Sequence, residues 1–328
     1  MFRSLLESMS RHYRHRYPGQ GVSPLAPLLD EAALLELALY ARSLPDSLLE
    51  FHRPSSHPLI GEVQSFHRGQ GLEFEENRAY QAGDTMRLLN WRLYARSGEL
   101  YTKVFTEDRR PQVFLFLDRR ASMRFATRGQ LKAALAAKVA VCFAHQARRQ
   151  VLAVGGVILN QVPEWFTPAM GDVSVDGLVH SMAAPCPPLA FDAPQPELMQ
   201  QLQQLLQRLP AGSHVLLLSD FTDLDIDAPA LHELAALHTV RAIQILDPIE
   251  LQLPDHGSFR IEDRDSPQAL RVDGRDEAQR IQYARAIEER QASLRTGFHD
   301  CGIPFDTFTT QDDVATCLGR PPADAHAH

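Results

Sequence analysis

The sequence has few cysteines, no excess of basic residues and no long uninterrupted apolar run, and each of these absences excludes a class of protein. Its four cysteines are widely scattered among 328 residues, so neither a zinc-binding spacing nor a disulfide framework is expected. The formal net charge of -8 argues against sequence-independent binding to nucleic acid, because such binding needs a dense basic surface. We therefore predict a cytoplasmic protein with reduced thiols whose partner is not nucleic acid.

Targeting and catalytic motifs are missing as well. The first 19 residues are rich in Arg and His and lack the apolar core of a secretory signal. The longest apolar helical pattern, residues 131–147, is interrupted by Lys132, Lys138 and His145, so no membrane-spanning segment is predicted. The chain contains neither a Gly-x-x-x-x-Gly-Lys phosphate loop nor a Gly-x-Ser-x-Gly elbow. We therefore predict a protein that is not an enzyme and carries no cofactor.

Beyond residue 111 the chain alternates between strand-like and helix-like segments. The apolar runs at 113–117, 151–159, 214–219 and 240–246 are separated by helical patterns. Strict alternation of this kind predicts an α/β domain with a mostly parallel sheet and helices on both faces. The proline-rich stretch at 159–196 is expected to add an antiparallel edge strand.

The sequence predicts four regions along the chain. They are an N-terminal arm with a leading helix (1–53), a small β-rich front module (54–110), the α/β domain (111–312) and a C-terminal tail (313–328). Frequent glycines and short mixed segments indicate hairpins and turns in the front module. Within the α/β domain, residues 248–271 are expected to be an irregular surface loop.

Polar side chains follow two of the predicted strands at the point where each strand ends. Asp118 and Ser122 follow one apolar run, and Ser219 and Asp220 follow another about a hundred residues later. Ligands in parallel sheets sit beyond the carboxyl ends of the strands, so these side chains are expected to lie together. Oxygen donors of this type suit Mg²⁺ or a similar hard cation. One prediction is therefore a metal site at Asp118, Ser122 and Asp220.

The same loop resembles the metal-ion-dependent adhesion site of von Willebrand factor A domains, in which an Asp-x-Ser-x-Ser loop and a distant Asp hold a divalent cation. Arg120 stands where the first serine belongs. A guanidinium beside two carboxylates supplies the positive charge that the cation would otherwise bring. We therefore predict that Arg120 or Arg119 pairs with Asp118 or Asp220 as a built-in cation. The alternative is a metal-binding adhesion site, or a metal-dependent hydrolase that uses the bound cation to activate water.

The segment at 69–101 is unusually dense in paired charges, glycine and aromatic residues. It contains the motifs Gly71-Leu-Glu73-Phe, Arg78-Ala-Tyr80-Gln-Ala-Gly83-Asp84 and Asn90-Trp91-Arg-Leu-Tyr-Ala95-Arg96. These motifs resemble the signature of the bacterial domain of unknown function family 58, with Asn90 replacing the usual acidic residue. The signature residues are Glu73, Arg78, Tyr80, Asp84, Arg87, Trp91 and Arg96. We predict that the charged members form an internal ion-pair network or, alternatively, a partner surface, and that Tyr80 and Trp91 are core anchors.

The resemblance implies a von Willebrand A-like domain in proteins typically encoded beside MoxR-type AAA+ ATPases, where they are thought to assist assembly or activation of other proteins. We therefore predict a non-enzymatic interaction protein whose partner is a MoxR-type ATPase and whose client is open. The partner would bind the carboxyl-end face of the sheet. The residues predicted for this contact are Arg119, Arg120, Phe125, Phe221 and Asp223. Nearby, Asp227 is expected to cap the helix that begins at Pro229.

Overall fold

A computed structural model describes residues 26–49, 72–80, 89–107, 112–189, 193–263 and 266–319; for 72–78, 103–107, 258–263 and 266–272 it describes the backbone alone. The chain divides into two compact units, Pro58–Arg110 and the combination of Met1–His57 with Pro111–His328. The helices are α1 Glu31–Ser43, α2 Trp91–Ser97, α3 Lys132–Arg149, α4 Asp172–Ala183, α5 Leu198–Arg208, α6 Pro229–Leu237, α7 Pro248–Leu251, α8 Glu277–Asp300 and α9 Val314–Gly319. The strands are β1 Leu72–Ala79, β2 Tyr101–Glu107, β3 Gln112–Asp118, β4 Ala153–Leu159, β5 Pro163–Ala169, β6 His214–Ser219, β7 Thr239–Leu246, β8 Ser258–Asp263, β9 Ser266–Asp273 and β10 Phe305–Thr309.

The larger unit is built on a six-stranded sheet with the order β10-β7-β6-β3-β4-β5. Neighbouring strands are parallel from β10 to β4, and β5 runs antiparallel to β4 at one edge. Helices pack on both faces of this sheet, as the alternation of apolar runs and helical patterns predicts. The predicted α/β fold class is confirmed, together with its antiparallel edge strand.

Strand β3 shows why the central runs are continuously apolar. Successive side chains of a strand point to opposite faces of the sheet. Val113, Leu115 and Leu117 pack into a core with α1, α3 and α4, while Phe114 and Phe116 pack into a second core with α5, α6 and α8. Both faces are covered, so every position from 113 to 117 is buried and none has to be polar.

Strand β4 approaches β3 closely at Gly156. A Cβ atom at this position would lie 2.7 Å from the Leu115 carbonyl oxygen, and a backbone atom in a paired strand cannot move away cheaply. We therefore expect Gly156→Ala to lower the free energy of unfolding by about 1–3 kcal/mol, the usual cost of overpacking. Gly177→Ala on α4 is the matched control, because a Cβ there would meet open space and Ala should stabilise the helix by about 0.5–1 kcal/mol. Urea denaturation measures the stability of both variants, and equal unfolding midpoints would contradict the close approach of β4 to β3.

Two regions contain more regular structure than the sequence predicts. Residues 248–271 do not form an irregular loop, because they hold the short helix α7 and most of the antiparallel hairpin of β8 and β9. The predicted tail begins with α9, whose Cys317 and Leu318 are buried in the core beside α3. In both places short elements lack the repeated apolar pattern that identifies a long helix or a central strand.

The smaller unit contains an antiparallel pair, β1 with β2, and the intervening helix α2. A bulge between Phe74 and Glu76 shifts the register of the pair. In the parts of both units that the structure describes, no helix combines the length and the apolar character needed to cross a bilayer.

Candidate functional site

Three neighbouring strands of the large sheet lead into buried carboxylates at their carboxyl-terminal ends. Asp118 is the last residue of β3, Asp220 follows β6, and Asp247 follows β7. All three side chains are fully buried. A buried carboxylate is stable in its charged form only when hydrogen bonds or opposite charges replace its hydration. The partners of these three side chains therefore decide what the site can do.

Arg120 neutralises Asp118. Its Nε lies 3.0 Å from Oδ1 and its Nη2 lies 2.8 Å from Oδ2 of the carboxylate, while the Arg120 backbone N–H donates to Oδ1 at 2.9 Å. The Ser219 hydroxyl donates to Oδ2 at 2.7 Å. The predicted pairing of Arg120 with Asp118 is confirmed, and both carboxylate oxygens are occupied by protein donors.

The outer side of the same guanidinium binds a second carboxylate. Arg120 Nη2 lies 2.8 Å from Asp223 Oδ1, and Nη1 bonds to Oδ2. Burial lowers the pKa of Arg120, but the charges of Asp118 and Asp223 outweigh burial and leave the pKa raised. The guanidinium thus stays charged between two carboxylates, with 8% of its side chain exposed.

Lys132, at the start of α3, performs the same role for Asp220. Its Nζ lies 3.0 Å from Asp220 Oδ2 and 2.7 Å from Glu250 Oε1, and the lysine is fully buried. Burial raises the pKa of Asp220, but Lys132 and Arg120 outweigh burial and lower it. The Glu250 pKa is raised to about 7, because burial and the Asp220 charge exceed the effect of Lys132. One ammonium therefore serves two carboxylates, of which Asp220 is the more firmly ionised.

Asp247 has hydrogen-bond donors in place of a charged partner. Its carboxylate accepts from the Thr127 backbone N–H at 2.7 Å and from the Thr310 hydroxyl at 3.0 Å. It also caps α7 by accepting from the Ile249 N–H at 3.1 Å, and Glu250 accepts in return from the Asp247 N–H at 2.6 Å. This reciprocal capping box links Asp247 to the Lys132 cluster through Glu250.

The predicted metal ligands do lie together, but their oxygens are already in use. Ser122 is 7% exposed and hydrogen-bonds to Asp220, which helps to lower the pKa of that carboxyl. A divalent cation at Asp118, Ser122 and Asp220 would have to displace Arg120 and compete with Lys132 for Asp220. In the described ranges no group of three or more His, Cys, Asp or Glu side chains is arranged to hold a metal ion. Both carboxylates are neutralised from within the chain, and metal binding at these three residues stays a prediction.

The structure corrects the expectation that Arg119 faces a partner. The residue is 1% exposed, and its side chain reaches the end of α4. There the guanidinium donates to the backbone oxygens of Ser181 and Ala184, both at 2.9 Å, and Pro185 at 2.7 Å. The Ser181 carbonyl lies in the last turn of α4, where it also accepts from the Ala184 N–H at 3.4 Å, and Ala184 and Pro185 directly follow the helix end. Arg119 is therefore a helix-capping residue.

Phe125 and Phe221 are also interior residues, contrary to the predicted partner contact. Phe125 is 6% exposed and Phe221 is 1% exposed. The ring of Phe221 packs 5.3 Å from that of Phe298 on α8, between ring centroids. Apolar residues that follow a strand end can pack into the interior instead of facing solvent, and these two are both buried. Among the predicted partner residues, Asp223 keeps the most exposure, with 20% of its side chain accessible.

Asp227 does not cap α6. The residue at the N-cap position is Ala228, which makes no side-chain hydrogen bond to the helix, while Pro229 occupies the first turn as expected. The Asp225 carboxylate accepts instead from the Asp227 backbone N–H at 3.3 Å. Asp225 and Asp227 are both exposed, so the loop carries two solvated acidic side chains beside the site.

An open cleft of about 450 Å³ lies next to the Arg120 ion pairs. One wall is the loop that contains Thr222 and Asp223, and the other is the start of α5 with Gln195 and Glu197. Gln195 fixes this wall to the site, because its Oε1 accepts from the Ala121 backbone N–H at 2.6 Å. The cleft is therefore the accessible side of the buried charge network.

In the smaller unit the two aromatic signature residues are not core anchors. Trp91 is 56% exposed and Tyr80 is 36% exposed. Asn90 caps α2, because its side-chain oxygen accepts from the Leu93 N–H at 3.2 Å. An Asp at this position could accept the same bond, which explains how Asn can replace the usual acidic residue.

The predicted ion-pair network of the front module falls mostly outside the described side chains. Glu73 and Arg78 lie in β1, where only the backbone is described, and Asp84 and Arg87 lie outside the described residues. Arg96 is exposed in the last turn of α2. The network therefore stays a prediction.

The fold and the site define an α/β protein in which buried Arg and Lys side chains neutralise the carboxylates at one edge of the sheet. The chain belongs to the family described as protein of unknown function DUF58, whose model matches residues 76–293; the family predicted from the front-module motifs is confirmed. Uncharacterized proteins of Mycobacterium tuberculosis and Mycobacterium bovis are each 28% identical over 250 residues, covering 75% of this chain and 77% of the relative. Among solved structures, the conserved hypothetical protein BatB from Bacteroides thetaiotaomicron matches 64% of this chain and 94% of its own, with 11% identity and a TM-score of 0.36.

Proposed function

We propose that this chain is a non-enzymatic interaction protein that binds its partner at the carboxyl-terminal edge of the large sheet. The observation that carries the proposal is the pair of built-in cations. Arg120 and Lys132 satisfy Asp118 and Asp220 from within the chain, so these carboxylates are neither free bases nor open metal ligands. A metal-dependent hydrolase needs an open coordination position for water. A saturated, rigid charge network is better suited to positioning a recognition surface.

The accessible chemistry of this edge is acidic. Glu197 is exposed in the cleft wall, and Asp225 and Asp227 are exposed in the loop that continues from Asp223, whereas Arg120 is almost completely covered. Complementary charge accelerates encounter and selects a partner, so the edge favours a basic surface. The family resemblance supplies the class of partner that we propose, a MoxR-type AAA+ ATPase in the cytoplasm, with this chain linking it to a client protein.

Binding of the full chain to the purified MoxR-type ATPase of the same organism tests this proposal by biolayer interferometry. We expect Asp225→Lys combined with Asp227→Lys to weaken binding about tenfold, because like charges then face the partner. Glu288→Lys combined with Glu289→Lys is the matched control, since both glutamates are exposed on α8. Absence of binding by the wild type, or equal weakening in the two double variants, would count against the proposal.

The alternative function, a metal-dependent hydrolase, is tested separately. Wild-type protein is incubated with Mg²⁺ or Mn²⁺ and a generic phosphoester, and turnover is compared with that of Asp118→Asn, which keeps the side-chain size. We expect no metal-dependent turnover from either protein. Activity in the wild type that disappears in the variant would establish the enzymatic alternative.

A further inference from the structure

A second open groove of about 470 Å³ adjoins the Arg120 cleft, between β5 and α5. The two share Gln195 and Pro196 as a common wall. Its lining is rich in side-chain amides, including Gln201 and Gln204, and it also contains Trp165 and Arg208. None of these residues belongs to the charge network described above. The groove therefore extends the accessible surface away from the strand-end carboxylates.

Gln201 is an unsatisfied polar group in this groove. Its side chain is 2% exposed, and its Oε1 atom is buried without a hydrogen-bond partner in the part of the chain that the structure describes. Leaving a buried acceptor unpaired costs about 1–3 kcal/mol. A hydrophobic residue would avoid this cost, as Leu198, Leu202 and Leu205 do on the same helix. A ligand that donates a hydrogen bond would remove it too, once the side chain turns this oxygen into the groove.

Arg208 presents a positively charged guanidinium with which an anion can pair. Its guanidinium carbon lies 4.3 Å from the centroid of the Trp165 ring, a contact that holds the planar group in place. No carboxylate forms an ion pair with Arg208 within the described ranges. The Trp165 ring also packs against Phe114, with 6.0 Å between the ring centroids. The guanidinium is thus fixed at the exposed rim with its donors free for a carboxylate.

We propose that this groove binds an extended peptide segment that places an Asp or Glu side chain on Arg208. Glutamine amides both donate and accept, which matches the alternating N–H and C=O groups of a peptide backbone, and Gln201 Oε1 would accept one peptide N–H. Pro163 and Pro168 interrupt the N–H groups of the edge strand β5, so recognition rests on these side chains rather than on an added strand. This inference rests on the proposed function and specifies the segment of the partner that enters the groove.

An immobilised library of blocked peptides, in which Asp, Glu, Asn, Gln or Lys occupies one fixed position, tests the inference with the full-length chain. We expect the wild type to select peptides with Asp or Glu and to bind their Asn and Gln counterparts about tenfold more weakly. Arg208→Gln should lose this selection, and Arg295→Gln should keep it, because Arg295 is an exposed arginine on α8. Selection that is independent of acidic residues, or unchanged in Arg208→Gln, would overturn the proposal.

Gln201→Leu separates a binding role from a structural one. Leu removes the unpaired acceptor, so we expect an unchanged or higher unfolding midpoint together with weaker binding of the selected peptides. A lower midpoint with unchanged peptide binding would make Gln201 structural and contradict its part in the groove. A single-stranded oligonucleotide in the same format that binds in an Arg208-dependent way would also overturn the peptide assignment. The ATPase-binding test uses loop variants outside this groove, so failure of the groove and failure of the proposed function give different results.

Discussion

Replacing Lys132 with Met is expected to lower the free energy of unfolding by about 3–5 kcal/mol at neutral pH, the range found when one partner of a buried ion pair is removed. Lys132 is the ammonium that contacts both Asp220 and Glu250. Met fills a similar volume and has a similar helix propensity, so the loss isolates the charge. Chemical denaturation monitored by circular dichroism measures the change.

The sign of the pH dependence makes this prediction specific. In the wild type the pKa of Glu250 is already raised to about 7. Without Lys132 the folded-state pKa values of Asp220 and Glu250 should both rise above their unfolded-state values. An acid whose folded pKa is raised binds its proton more tightly in the folded state, so its contribution to stability falls as pH rises through the folded pKa. The deficit of Lys132→Met should therefore be larger at pH 8 than at pH 5.

Lys138→Met is the matched control for this experiment. Lys138 lies on the same helix, is half-buried and forms no ion pair within the described residues. The control should change stability by no more than about 0.5 kcal/mol, as expected away from buried networks. Equal midpoints for the two variants at both pH values would show that the Lys132 ion pairs do not hold this edge together.

The fold and one half of the charge network follow from local sequence patterns. The apolar run of β3 identifies a strand covered on both faces, and the rule that ligands lie at the carboxyl ends of parallel strands brings Asp118 near Asp220. Arg120 interrupts the adhesion-site pattern only two residues from Asp118, so its ion pair is readable from the chain itself. These predictions need no knowledge of how distant elements pack.

The other half depends on contacts that no local pattern encodes. Lys132 is separated by 88 residues from Asp220 and by 118 from Glu250, and in the sequence it merely interrupts an apolar helical pattern. The signal that could have found it is a lysine inside a segment whose neighbours are all apolar, because a buried lysine requires an anion. The Asp247-Pro248-Ile249-Glu250 run likewise contains a capping box, which places Glu250 near a strand end.

The incorrect partner residues have a common physical cause. Proximity to a strand end predicts a place in the sheet but not the direction in which a side chain points. Phe221 has a φ of 53°, a left-handed conformation that a side chain rarely adopts. Its ring lies against Phe298, an interior contact that the sequence does not predict. Arg119 similarly finds backbone carbonyls of α4, which only the tertiary structure brings within reach.

Replacing Arg120 with Ser restores the Asp-x-Ser-x-Ser pattern and should convert a self-neutralised site into a metal-responsive one. In the absence of metal, Asp118 keeps the Ser219 hydroxyl but loses its cation, so we expect a loss of about 3–5 kcal/mol. Asp223 also loses Arg120, but because Asp223 is partly exposed, water can replace the guanidinium at a smaller cost in stability. If the guanidinium takes the place of a cation, Mg²⁺ should restore part of the lost stability, by about 2.7 kcal/mol at a hundredfold excess over its Kd.

Thermal unfolding with EDTA and with Mg²⁺ compares Arg120→Ser with Arg120→Lys, which retains a positive charge and should respond to metal no more than the wild type. Calorimetric titration of the wild type provides the opposite test, because tight Mg²⁺ or Mn²⁺ binding that is lost in Asp118→Ala would mean that Arg120 does not block a cation. A variant that loses stability and gains no response to Mg²⁺ would restrict Arg120 to an ion-pair role. A metal response confined to Arg120→Ser would show that one side chain determines whether this sheet edge binds a cation or supplies its own.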